Sequence, residues 1–131
     1  MRLWCCQCQT DVTARLTNGA EVYPHRPDLA SLPRWKCDEC GNSVGTHHKT
    51  SEPTKPLGNI PSPEIKKARM HIHSLIDPAW KSKQIPRGKL YGYLSNALGH
   101  EYHTAEIKTV EDARNVYKLA RDYLRSKGIT Q

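Results

Sequence analysis

Two Cys-x-x-Cys pairs, Cys5/Cys8 and Cys37/Cys40, constrain this chain more than anything else in it. Each pair sets two thiolates at the spacing a tight turn needs to grip one tetrahedral ion, and two such pairs make a structural zinc site. The stretch between them, residues 9 to 36, is 28 residues long. That exceeds the commonest spacing of roughly 15 to 20 and leaves room for a hairpin and a loop. Four thiolates close the coordination sphere and leave no position for an activated water. The zinc is therefore expected to fold the N-terminal part of the chain and to catalyse nothing.

At 131 residues the chain has the length of one domain, or of two very small ones sharing a core. It contains no apolar run of the ~20 residues that span a bilayer and no segment resembling a signal peptide. The expected location is the cytoplasm, where thiols stay reduced and paired cysteines read as metal ligands rather than disulfides. Cys6 is the fifth cysteine and the spare one. With nothing beside it to activate a nucleophile, it reads as a small half-buried residue or an occasional substitute ligand.

The formal charge is +7 with cysteines neutral. A zinc held by four thiolates would lower it by two. Residues 1–60 carry seven Lys/Arg against six Asp/Glu, and residues 61–131 carry thirteen against seven, so the basic excess lies in the second half. It is densest from Glu64 to Tyr91, where Lys66, Lys67, Arg69, Lys81, Lys83, Arg87 and Lys89 face only Glu64 and Asp77. Such a patch attracts phosphate backbones through counterion release, without sequence selectivity. The same charges also suit a solvated helix face.

In the first half, Val12–Leu16 and Glu21–Tyr23 flank Asn18-Gly19, a strong hairpin signal. The segment from Tyr23 to Pro33, with three prolines including Pro33 itself, predicts an irregular loop. Arg34–Lys36 leads into the second cysteine pair, Gly41 permits its turn, and Ser43–Thr46 leads out, the form of a zinc ribbon. Trp4 and Trp35, beside the two pairs, are expected to cover the metal. Residues 49–61, rich in Pro, Ser, Thr and Gly, read as a connector and not as a packed element.

Helices follow. Pro63 suits the first turn of one that carries Ile65, Ala68, Ile72, Leu75 and Ile76 inward until Asp77-Pro78 stops it. A second spans about Arg87 to Leu98, with Leu90, Leu94, Ala97 and Leu98 inward and Gly99 as terminator. Thr109 begins a third, whose stripe Val110, Ala113, Val116, Tyr117, Ala120 and Leu124 runs up to Gly128. The expectation is an α+β fold: a ribbon of short antiparallel strands over 1–48, a connector over 49–61, and a basic three-helix region over 62–131. Modest apolar faces predict that the helices pack with the ribbon as one unit.

Cys37-x-x-Cys40-Gly41, Val44-Gly45-x-His47, Pro56-Leu57-Gly58, Arg69, His73, Asp77 and Trp80 form a recognisable series, continued by Arg87, Tyr91, Leu94, Leu98-Gly99 and His103. In these motifs the chain resembles a family of zinc-finger-containing domains found largely in phages and prophages. The resemblance implies a phage-associated zinc protein in the bacterial host cytoplasm, and it carries over no catalytic residue.

The histidines offer a possible polar site. His73 shares a helical stripe with Arg69 and Lys66 and lies four residues from Asp77, so it could help bind a phosphate or pin the helix by hydrogen bonds. His47 and His48 leave the second cysteine pair, and His103 follows the second helix. The order of His47 or His48, Asn59, then His71 or His73 resembles that of ββα-metal nucleases, although the segment after Asn59 is too short for their second strand. Trp80, Tyr91 and Tyr93 interleave with cations as base-stacking residues do, and also suit a core that has no Phe. The leading reading is nucleic-acid binding, to DNA or RNA, through the basic helical face. The alternative is a protein-binding module that docks on and modulates a host enzyme or defence protein, and a metal nuclease is third.

Overall fold

Each cysteine pair lies in the turn of an antiparallel hairpin. In a computed structural model that describes residues 1–129, strands β1 (Arg2–Cys5) and β2 (Thr10–Thr13) pair across the first knuckle, with Leu3 opposite Val12 and Cys5 opposite Thr10. Strands β4 (Pro33–Lys36) and β5 (Ser43–Gly45) pair across the second, and β3 (Arg15–Asn18) adds to the free edge of β4. The last two residues of the expected 62–131 region lie outside the described residues. The architecture is α+β, and the chain divides into two compact units, Met1–Pro63 and Glu64–Gln131.

The hairpin expected around Asn18-Gly19 does not form. Asn18 instead caps a single helical turn, α1 (Gly19–Val22), its side chain accepting from the Glu21 amide at 3.3 Å. Asn serves both roles, because its short side-chain carbonyl bonds local amides in turns and caps alike. Gly19 is present for close approach and not for positive φ. It is buried, its amide donates to the Leu32 carbonyl at 3.0 Å, and a Cβ built on it would lie 2.6 Å from the carbonyl carbon of Leu29. Gly19→Ala is accordingly expected to destabilise the zinc-loaded protein by about 1–3 kcal/mol, the usual cost of overpacking, read as a lowered melting temperature.

Residues 49–61 also differ from expectation, because their second half is stitched to the ribbon. The Trp35 indole donates to the Thr54 carbonyl at 2.7 Å, Leu57 bonds Gly45, and the Ile60 amide and carbonyl bond Trp4 and Cys6 at 2.8 Å each. Ile60 is fully buried with Cys5, Ala14, Cys37 and Val44. The polar composition reported correctly that no regular element forms here. It concealed one isoleucine, which supplies apolar contact that the short strands lack.

The second unit is built from α2 (Pro63–Lys81), α3 (Arg87–Leu98) and α4 (Val110–Ser126). Ile72, Ile76, Leu90, Leu94, Ala120 and Leu124 form the fully buried centre of its core. Thr109 caps α4 by accepting from the Asp112 amide at 3.0 Å, and Gly99 ends α3, both as the sequence suggests. Ala97, expected inward, is exposed. The expected stop at Asp77-Pro78 is also overridden: α2 continues through Pro78 to Lys81. Proline forfeits one ladder bond. Beyond it Ala79 is buried, and the Trp80 indole donates to Asp77 Oδ1 at 3.1 Å, tying the last turn to the one before.

Candidate metal centre

The two hairpins bring Cys5, Cys8, Cys37 and Cys40 together, with all four Sγ atoms within 4.8 Å of one another. Cys5 and Cys40 are 3.5 Å apart, and Cys8 and Cys37 are 3.8 Å apart. A tetrahedron with Zn–S bonds of about 2.3 Å has an edge of about 3.8 Å, so the donor set fits zinc in number, element and spacing. Cys5 and Cys37 are buried at 0% and 1% exposure, while Cys8 and Cys40 are half-buried.

Both knuckles have one geometry. The Gln9 amide donates to the Cys5 carbonyl and the Gly41 amide to the Cys37 carbonyl, each at 2.8 Å, and both residues have positive φ, 56° and 81°. Glycine takes that conformation freely, whereas glutamine is strained in it. Gln9→Gly is expected to raise stability by about 1 kcal/mol, and Gly41→Ala to lower it by a similar amount, both measured by thermal melting with zinc bound.

Asn42 joins the knuckles, its amide donating to Gln7 Oε1 at 2.7 Å and to Cys40 Sγ at 3.2 Å. The Cys8 thiol is pushed up to about 12, first by hydrogen bonding with Cys5 and then by burial. Burial acts to raise Cys37 as well, yet the backbone amides of Cys40 and Glu39 donate to its sulfur and bring it below the ordinary thiol value. Zinc binding must displace protons from such a cluster, so affinity falls as pH falls. Cys6 stays outside the cluster, buried with its S–H donating to Asn59 Oδ1 at 3.4 Å. Asn59, part of the nuclease-like order, thus lies against the first knuckle.

The charges of the ribbon largely neutralise one another. Arg15 pairs with both Glu21 and Asp38, and Lys36 pairs with Glu21 at 2.9 Å. The Arg15 guanidinium, followed by Lys36 and Thr17, holds the Glu21 carboxyl well below its ordinary value. In the second unit, Lys81, Lys83, Arg87 and Lys89 are exposed and have no ion pair among the described residues. No Asp or Glu occurs from Pro78 to His100. Arg87 stacks on Tyr91, 4.1 Å from its ring centre, and lies 5.6 Å from that of Trp80; Lys81 is also 5.6 Å from the Trp80 ring.

The seven cations grouped in the sequence do not form one patch. Arg69 is 9% exposed and donates from Nη2 to the Ile107 carbonyl at 2.7 Å, so it holds the helical unit together and is not available as an exposed phosphate contact. Lys66 and Lys67 are exposed at the start of α2. The helix rise puts ~21 Å between Lys67 and Lys81.

The histidines make separate local contacts. His73 Nδ1 meets the Asp77 carboxylate at 3.1 Å, and His103 pairs with Glu101 at 3.2 Å. In the ribbon, His48 Nδ1 lies 3.3 Å from the Thr46 carbonyl, and the His47 amide bonds Lys55. Among the described residues, the four cysteines form the one cluster of three or more metal-ligating groups. Sequence reasoning missed a second basic row, Arg114, Lys118 and Arg121 on α4. Their i, i+4, i+7 spacing was the available signal.

Four thiolates on two hairpins define a small α+β protein with a structural zinc site. The chain belongs to a family of zinc-finger-containing domains, whose model matches residues 2–123. No curated protein matches it, and no solved structure does. No helix is long and apolar enough to cross a membrane among the described residues.

Proposed function

We propose that this protein binds nucleic acid through the corner between α2 and α3, and that the zinc shapes the ribbon without taking part in chemistry. The observation that carries this reading is the state of Arg87. Its guanidinium is oriented by the Tyr91 and Trp80 rings and has no carboxylate partner among the described residues, with Lys81, Lys83 and Lys89 nearby in the chain. A stacked arginine loses little freedom when its edge meets a phosphate or a base, and the half-buried rings beside it offer partial stacking surface. The resemblance to phage and prophage domains supports a setting in the bacterial host cytoplasm.

The test is fluorescence anisotropy of zinc-loaded protein on labelled duplex DNA, single-stranded DNA and RNA as salt is raised from about 50 to about 200 mM. Four phosphate contacts on a duplex predict that log K falls against log salt with a slope of about −3 to −4. A flat salt dependence, or no binding at the lowest salt, contradicts the reading.

A further inference from the structure

A groove of about 580 Å³ runs between the first half of α2 and α4. Its floor is apolar: Ile72 and Ala113 are buried beneath it, and the half-buried Ala68, Val110 and Tyr117 give it its exposed surface. Ala68 lines it from α2 and Ala113 from α4. Its rim is basic: Arg114, Lys118 and Arg121 line it from α4, and Lys67 and His71 from α2. Among the described residues, Glu64 is the one carboxylate lining it. Lys67, Arg114 and Lys118 make no ion pair among the described residues.

We propose that this groove docks an acidic amphipathic helix of a partner protein. From Val110 to Arg121 the groove follows α4 for ~17 Å, the length of about three helical turns. An incoming helix with apolar residues at i, i+4 and i+7 would cover the floor, and carboxylates flanking them would meet the α4 cations, which repeat at the same interval. Charge complementarity favours this occupant over a cationic or neutral one. The floor also weighs against nucleic acid, since base edges buried on it would give up their hydrogen bonds to water without replacement. This surface is distinct from the α2–α3 corner, so either assignment can fail without the other.

The experiment uses the full zinc-loaded chain and three labelled synthetic peptides: an amphipathic helix with Leu at i, i+4 and i+7 flanked by Glu, the same peptide with Lys for Glu, and the same with Ser for Leu. A single-stranded oligonucleotide serves as competitor. The acidic peptide is expected to bind at least tenfold more tightly than the other two, and its backbone amide shifts in NMR should map to α2 and α4. Lys118→Glu and Arg114→Glu, both at exposed positions, should each weaken it severalfold, and Ala68→Trp should block the floor. A melting curve for each variant checks folding. The proposal is overturned if the acidic and basic peptides bind alike, if none binds, if the charge reversals leave binding unchanged, or if the oligonucleotide displaces the peptide while shifting the groove residues themselves.

Discussion

Replacing Cys40 with Ser is expected to abolish tight zinc binding and unfold the ribbon unit. A structural zinc contributes on the order of 10–16 kcal/mol of binding free energy that is also folding free energy. The ribbon has little else to lean on: its fully buried centre is Ile60 with two of the cysteines, and its strands are three or four residues long. Cys8→Ser should do the same, because it removes a ligand from the other knuckle. Cys6→Ser should cost about 1 kcal/mol or less, since a hydroxyl can still donate toward Asn59. Bound zinc measured with a chromogenic chelator, together with amide dispersion in NMR, separates these outcomes. Acidification should release the metal from the parent protein, because protons compete for thiolates. A Cys40 variant that keeps its zinc and its dispersion would contradict the account of the ribbon.

Reversing Lys81, Lys83 and Lys89 together to Glu is expected to make the salt dependence of nucleic-acid binding shallower by about three in log–log slope, roughly one for each phosphate no longer neutralised. Melting temperature should change little, because exposed charges contribute small terms. Lys66 and Lys67 lie at the opposite end of α2, so reversing them should have a smaller effect on the slope. Arg87→Lys keeps the charge but removes the planar stack on Tyr91, and weaker binding is expected there as well. Arg69→Ala should behave differently, lowering stability by removing a buried hydrogen bond to Ile107. Binding that survives the triple reversal with an unchanged slope would remove the corner from the nucleic-acid reading.

What could be read from the sequence was whatever depends on short spacing. Two Cys-x-x-Cys pairs announce their metal because a knuckle is local, and α3 and α4 announce their ends through Gly99 and Thr109 for the same reason. What escaped depends on neighbours distant in the chain. Gly19 looks like a turn residue until Leu29 is seen against it, and Ile60 looks like a connector residue until Cys5 and Trp4 are seen beside it. Arg69 looks like its exposed neighbours because charge alone does not reveal burial, and only the Ile107 carbonyl, 38 residues away, explains it. Pro78 illustrates the reverse case, in which a strong local signal yields to tertiary packing. The basic row of α4 was legible in principle, but the charge density between residues 64 and 91 overshadowed a stripe spaced over a longer helix.

The most direct test of the central claim is X-ray absorption at the zinc edge of the purified protein. The account predicts one zinc per chain with four sulfur neighbours at about 2.3 Å and no lighter ligand, the closed sphere of a structural site. A nitrogen or oxygen ligand in place of one sulfur would contradict it, because that would open the metal to histidine or water and with it to chemistry that four thiolates exclude.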